Sequence, residues 1–544
     1  MSLRNYLSSK NTTYILLLGW GISIIYAYFF IPPRDDDGIY LLPALSVANG
    51  FPPGFFIEGE FIAVFFIFPF QSLLNGQFLS FLEPDLYNYR LFNLSLILPL
   101  LIFTGFFINL IFKDIDKTNL PFNIFLILLA ASPFSTNFYV NRPDILGLLF
   151  FIVGLVIITK NIQASTPDSK STIASFLFFG LACVTHPAFI ILGIPIIIYF
   201  FYKLLIANSS PWNLLTYVLS FIFPLLLLFL WFYINLDSSF PQIFNRTSGI
   251  ANSSSTPLME GIILLFKKTF FISDKEILYK FYDSFFSLPF LFSLILTFWN
   301  IWFNPIFKEN FILILLNIGC ILIVMSQPFP GPMMSASYFM MILLSAFFIH
   351  FFEVNKLVKL PKTNKFFYSS LILILIAAPI TPLIVHVSKV QLTNQNYFDS
   401  KKTLDIIINN LSKEDKLIIT TPQLIPPFTA YINDKVTGKH SDKFYWLFPG
   451  GQTEKPAKKL ESLFKKQLES VIQSSQNNSI WGLSKKSIIS TSGSVICFTL
   501  RGQLASIKLY NVNKIHEDRD NIFLRPESFS AHNIKGNCSK NITL

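Results

Sequence analysis

The chain has 544 residues, of which 52% are hydrophobic, 17% aromatic and only 13% charged, against about 25% charged residues in a soluble domain. With 63 phenylalanines, this composition excludes an ordinary soluble protein and predicts a polytopic membrane protein. The formal net charge is +11, but no basic run interleaves with aromatic residues, so nucleic acid is not an expected partner.

In chain order, Arg4 and Lys10 precede an apolar run over 14–31. The run is long and no small-residue cleavage site follows, so it reads as an uncleaved first span. At roughly 20 apolar residues per crossing, about eleven spans are predicted: 12–31, 91–112, 120–138, 144–159, 172–187, 188–206, 213–235, 284–304, 309–326, 333–352 and 366–387. Lys113, Lys117, Lys160, Lys170, Lys203, Lys308 and the group Lys356 to Lys365 fall on alternate connections. With Arg4 and Lys10 they define a cytoplasmic face. An odd number of spans then puts the C-terminal part outside. The segment 58–80 is apolar, but crossing there would invert the lysine alternation, so a helix at the outer interface is expected. The outer loop 32–90 is then long, as functional loops often are. A second outer loop, 236–283, turns from polar to amphipathic.

From about 389 the hydrophobic runs shorten. Residues 401–411 and 456–474 have amphipathic helical spacing, and the runs at 415–421, 479–483, 494–500 and 505–512 read as strands. Two domains are expected: a transmembrane unit over 1–388 and a small extracytoplasmic α/β domain over 389–544. Cys183 and Cys320 lie in apolar segments and read as packing residues. Cys497 and Cys538 are a possible disulfide if the domain faces an oxidising compartment. The abundance of Ile, Asn, Lys and Phe suits an AT-rich bacterial genome, hence a bacterial inner membrane.

Charged residues beside the spans are the candidate site. Arg34-Asp35-Asp36-Asp37-Gly38 follows the first span. Three carboxylates cannot rest in hydrocarbon, so they face water or a wet cavity. One of them can cap the helix that the spacing of Tyr40, Ala44 and Ala48 predicts, with Gly50 as its stop; the cluster as a whole reads as a general base or a cation site. Arg142-Pro143-Asp144 opens the fourth span. Arg142 is either a surface anchor or the ligand of an anionic group, with Asp144 orienting a sugar or Arg142 itself. Thr185-His186-Pro187 lies where the fifth span meets the sixth; His186 is either an interfacial residue or a ligand of phosphate or metal. Arg90 either snorkels or binds lipid phosphate. Glu58 and Glu60 lie close enough in sequence to join Asp36 and Asp37 around a divalent cation, and no other cofactor is expected. Tyr338, after the proline-rich 327–332, is an interfacial anchor or a cavity residue.

In the order of these motifs the chain resembles the GT-C class of membrane glycosyltransferases, most of all the protein O-mannosyltransferase and aminoarabinose transferase group. Asp36-Asp37-Gly38-Ile39-Tyr40 and Ala48-Asn49-Gly50 stand where that group has Asp-Glu-Gly-x-Tyr and a small-residue helix ending in Gly. Arg142-Pro143-Asp144 and Thr185-His186-Pro187 match its Arg-Pro-Asp and Thr-Lys/His-Pro. The likeness covers most of the first 200 residues. Two departures stand out: Asp37 replaces the usual Glu, and Ile57-Glu58-Gly59-Glu60 lacks the Lys and both prolines of Glu-Lys-Pro-Pro.

The resemblance implies transfer of a sugar from a polyprenyl-phosphate donor to a glycan, lipid or protein acceptor at the outer face, with inversion. Asp36 would be the base, with Asp37 as its partner. Arg142 and Arg90, and less directly His186, would meet the phosphate, while Glu58, Asp144 and Tyr40 orient substrate. A transporter of lipid-linked saccharides is the competing reading. Transporters place charge near the midplane and often carry repeats, whereas here the charge gathers at one face and no repeat is seen.

Overall fold

The computed structural model describes residues 7–30, 35–48, 50–57, 60–63, 69–82, 88–113, 118–131, 142–163, 168–186, 188–206, 210–234, 311–326, 335–336, 338–346 and 348–349. In the C-terminal part it describes the strands between 416 and 532. The first part is helical: α1 (Lys10–Phe30), α2 (Asp35–Ala48), α3 (Pro69–Ser80), α4 (Leu91–Phe112), α5 (Leu120–Ala131), α6 (Asp144–Gln163), α7 (Ser169–Thr185), α8 (Ala188–Ile206), α9 (Pro211–Ile234) and α10 (Phe311–Ser326). Among the described residues α4, α6, α8 and α9 are long and apolar enough to cross a membrane. α4 and α8 have the bounds expected from hydropathy. The expected spans at 284–304 and 366–387, the outer loop 236–283 and the C-terminal helices lie outside the described residues.

The segment 58–80 differs from expectation. It is not one helix: β1 (Gly54–Ile57) and β2 (Glu60–Ala63) form an antiparallel hairpin, Ile57 opposite Glu60, and α3 begins only at Pro69. Aromatic and β-branched residues on both arms favour a pleated pair. Pro69 starts α3, because its fixed φ suits the first turn.

Small residues set the helix spacing. Gly154 lies against the Phe179 ring, Gly147 against Phe189 and Gly180 against the carbonyl of Phe221, the close approach that drives helix association in lipid. Phe151 sits among Phe179, Phe189 and Phe339 with ring centroids 5.2–5.6 Å apart. Tyr338 is neither a surface anchor nor lipid-facing. It is 1% exposed, stacks edge-on to Phe125 and shares a 2.6 Å hydrogen bond with Thr104 Oγ1. A phenol drawn into an apolar core needs such a partner. Cys183 and Cys320 are buried packing residues, as expected.

The bundle has two distinct ends. At one, Gln163 Nε2 donates to Leu110 O at 3.1 Å and Asn123 Nδ2 to Leu7 O at 2.6 Å. Lys10, Lys113, Lys160, Lys170 and Lys203 lie at this end, all exposed. The other end collects the starts of α2, α4, α6 and α8.

In the C-terminal part, the strands β3 (Lys416–Ile419), β4 (Phe444–Trp446), β5 (Ile480–Lys485), β6 (Ile489–Ser492), β7 (Val495–Thr499), β8 (Ser506–Glu517) and β9 (Asn521–His532) form one sheet in the order β4-β3-β5-β9-β8-β7-β6. β3 pairs in parallel with β4 and β5, and the other pairings are antiparallel. The four runs read as strands from the sequence are β3, β5, β7 and β8. Cys497 lies on β7 opposite Lys508, and Cys538 lies outside the described residues.

Candidate functional site

The acid cluster opens α2. Asp35 and Asp36 form its first turn with Asp37. The helix ends in a Schellman turn: Gly50 has φ 83°, its N–H meets Val47 O at 2.9 Å, and Phe51 N–H meets Ser46 O at 3.0 Å. Those two bonds satisfy the last carbonyls, and the left-handed φ favours glycine, which is the stop expected at Gly50. Gly76 of α3 packs directly against Val47 and the Ala44 carbonyl, so α2 and α3 touch backbone to backbone.

Asp37 points inward. Its Oδ2 is 3.5 Å from Arg90 Nη2, and both side chains are 1% exposed. Arg90 ends a short 3-10 turn, Asn88–Arg90, just before α4. Arg90 therefore neither snorkels nor stands at the surface. It is a buried cation with a fixed carboxylate partner, as a charge at that depth requires.

One turn further on, Asn93 is 1% exposed. Its Nδ2 donates to Arg142 O at 2.8 Å, and its Oδ1 accepts a longer contact, 3.5 Å, from Gln71 Nε2 on α3. The α2–Arg90 pair is thus continuous with the turn that starts α6. There Arg142 Nε donates to Asp144 Oδ2 at 2.9 Å, with side-chain exposures of 16% and 0%. On the far side of Asp144, His186 Nε2 is 3.9 Å from Oδ1. His186 caps α7, and its Nδ1 accepts from Ala188 N–H at 3.2 Å. With Nδ1 an acceptor, the ring proton of neutral His186 sits on Nε2, facing the carboxylate. The two tripeptides singled out in the sequence therefore meet at one carboxylate.

Of the other expected site residues, Tyr40 is half-buried on α2. Asp36 is placed by its backbone in the first turn of α2. Glu58 lies outside the described residues. Among the described residues no group of three His, Cys, Asp or Glu side chains is placed to hold a metal ion. Asn93 and Gln71 were missed in the sequence. Their signal was an amide in an apolar segment, which is costly unless hydrogen-bonded.

No family model matches the chain, and no curated protein matches it. Among solved structures it is similar to ArnT from Cupriavidus metallidurans bound to undecaprenyl phosphate, with TM-score 0.56 and 12% identity over 95% of this chain and 98% of that one. The apo state of the same protein gives TM-score 0.49 and 13% identity over 95% and 98%. The Archaeoglobus fulgidus oligosaccharyltransferase AglB, in complex with an inhibitory peptide and a dolichol-phosphate, gives 0.46 and 12% over 87% and 69%.

Proposed function

We propose that this chain is a membrane glycosyltransferase that moves a sugar from a polyprenyl-phosphate donor to an acceptor hydroxyl of a glycan, lipid or protein. The observation that carries the reading is the Arg142–Asp144–His186 assembly at the end of the bundle where α2 also starts. It presents a cationic group 16% exposed, at the end of the bundle opposite the exposed lysines. Its fold-level likeness to a structure holding undecaprenyl phosphate supports the same donor class.

In this reading the donor phosphate lies against Arg142, with His186 Nε2–H as a second donor. Asp36 accepts the proton of the acceptor hydroxyl as its oxygen attacks the anomeric carbon. The bond to the phosphate oxygen breaks on the opposite face, the configuration inverts, and polyprenyl phosphate leaves with its charge met by Arg142. A positioned carboxylate base is worth about 10²–10⁴ in rate, and cations at the leaving group stabilise the charge that develops there. Asp37 holds α2 in place through Arg90, while Tyr40 and Glu58 serve to orient sugar. A divalent cation, if used, would draw on Asp36 and Glu58. The lysine-rich end faces the cytoplasm by the positive-inside rule. The site and the C-terminal sheet domain then face outward from a bacterial inner membrane.

The test is transfer from radiolabelled polyprenyl-phosphate sugars in membranes carrying the chain. Asp36→Asn is expected to lower transfer by at least about 100-fold while leaving donor binding in place. Transfer at the wild-type rate would remove Asp36 as the base.

A further inference from the structure

We propose that Asn93 is a positioning residue for Arg142: it fixes the turn that aims the guanidinium at the donor phosphate. The proposal rests on the donor-binding reading above and goes beyond it in assigning a residue that touches no substrate.

Two contacts hold Arg142 at opposite ends. Its Nε end is fixed by Asp144 at 2.9 Å, and its main-chain carbonyl is fixed by Asn93 Nδ2 at 2.8 Å. The hydrogen-bond ladder of α6 begins one residue later, with Gly147 N–H on Pro143 O at 3.1 Å. The Arg142 carbonyl therefore stands before that ladder, and Asn93 reaches it across 49 residues of sequence. The orientation of the amide is set by two partners of opposite character. Gln71 Nε2 faces Oδ1 and the carbonyl faces Nδ2. Turning the amide over would set two oxygens, and then two N–H groups, against each other. A guanidinium tethered at Nε could still swing with its backbone. Fixing the carbonyl removes that freedom before ligand arrives, and such preorganisation appears as affinity. Gln71 extends the chain of contacts to α3, so α3 and the arginine turn share one amide.

A merely structural asparagine would lower stability whatever stood at 142. A positioning residue acts only while Arg142 is present. The test uses the full chain in lipid nanodiscs, with undecaprenyl phosphate titrated alone and the melting temperature recorded in parallel. Asn93→Leu is expected to weaken binding about tenfold, and Asn93→Gln to restore most of it. In transfer assays the loss falls on the KM for donor more than on kcat. In an Arg142→Ala background, Asn93→Leu is expected to add no further weakening. Should Asn93→Leu fail to fold, Asn93→Ser, too short to reach the carbonyl, carries the same expectation. Binding by Asn93→Leu within twofold of wild type, or an effect that adds in full to that of Arg142→Ala, overturns the proposal. Wild-type chain that binds no undecaprenyl phosphate takes down the donor reading and this inference together, whereas wild-type binding that Asn93→Leu leaves unchanged takes down this inference alone.

Discussion

Replacing Asp37 by Asn keeps the shape of the side chain and removes the charge facing Arg90. The guanidinium is then left in a site where its side chain is 1% exposed. At the observed 3.5 Å separation and an effective dielectric of about 20, the lost attraction is about 5 kcal/mol. Breaking one partner of a buried pair costs about 3–5 kcal/mol in general. The two figures agree, so Asp37→Asn is expected to destabilise the chain by about 3–5 kcal/mol, measured by denaturant unfolding in detergent micelles. Arg90→Met is expected to cost a similar amount, since it strands the carboxylate. The double variant removes both charges, and its cost is expected to fall short of the sum of the singles by at least about 2 kcal/mol, the signature of a direct pair. Asp36→Asn, one residue away, is expected to lose transfer and keep its stability. Two observations would refute the reasoning: Asp37→Asn unfolding with the wild type, or a double variant whose cost is the plain sum. Either would mean that water reaches the pair and screens it.

Other expectations follow from particular contacts. Asp144→Asn weakens the charge-assisted hold on Arg142 Nε, and the KM for a polyprenyl-phosphate donor is expected to rise by roughly tenfold or more in transfer kinetics. Gly76→Ala places a methyl group inside the Val47 and Ala44 contact; overpacking of this kind costs about 1–3 kcal/mol, read as a lower unfolding midpoint. Gly50→Ala forces a side chain into φ 83° and is expected to cost about 1 kcal/mol in the same assay. Asp168 caps α7, and hydrogen bonds from the Ser171 hydroxyl and N–H, then from Lys170 N–H, hold its carboxyl below the ordinary 3.8. A lowered folded value means that the cap stabilises fully above pH 3.8 and loses its effect as pH falls through the folded value. The stability gap between wild type and Asp168→Ala is therefore expected to be constant at neutral pH and to close below pH 3.8.

The helices α4 and α8 were legible because lipid imposes one requirement, a run of apolar residues of sufficient length, and both runs end at polar or proline punctuation. The Gly50 stop was legible because few residues accept a left-handed φ. The hairpin at 54–63 was not, since an apolar run of that length carries no period that separates strand from helix. Pairing of its arms, Gly54–Ile57 against Glu60–Ala63, decided it. At the site, the types and order of the residues were readable. The partners were not. Arg90 and Asp37 are 53 positions apart, and nothing in either motif says that one neutralises the other. Asn93 was invisible for the same reason, since its partner is a main-chain carbonyl and carbonyls leave no trace in sequence.

The two arginine–aspartate pairs are alike in chemistry and differ in exposure, and the difference decides which one can meet a phosphate. Arg90 is 1% exposed and its counter-ion equally so. A phosphate that drew Arg90 away would leave Asp37 buried and unpaired, at a cost comparable to the attraction gained. Arg142 is 16% exposed and bound to Asp144 through Nε, on the edge of the guanidinium away from its terminal nitrogens. In the donor-binding proposal, a phosphate that met those nitrogens would leave the Asp144 contact at Nε in place. The backbone acts in the same direction, because α4, α6 and α8 all present their N-termini, with partial positive charge, to this end. Asp144, at the start of α6, sits where that field favours a carboxylate. On the proposed reading the acids do not cancel the positive end that an anionic donor would need: Asp37 pairs with a buried cation, and Asp144 contacts the more exposed one.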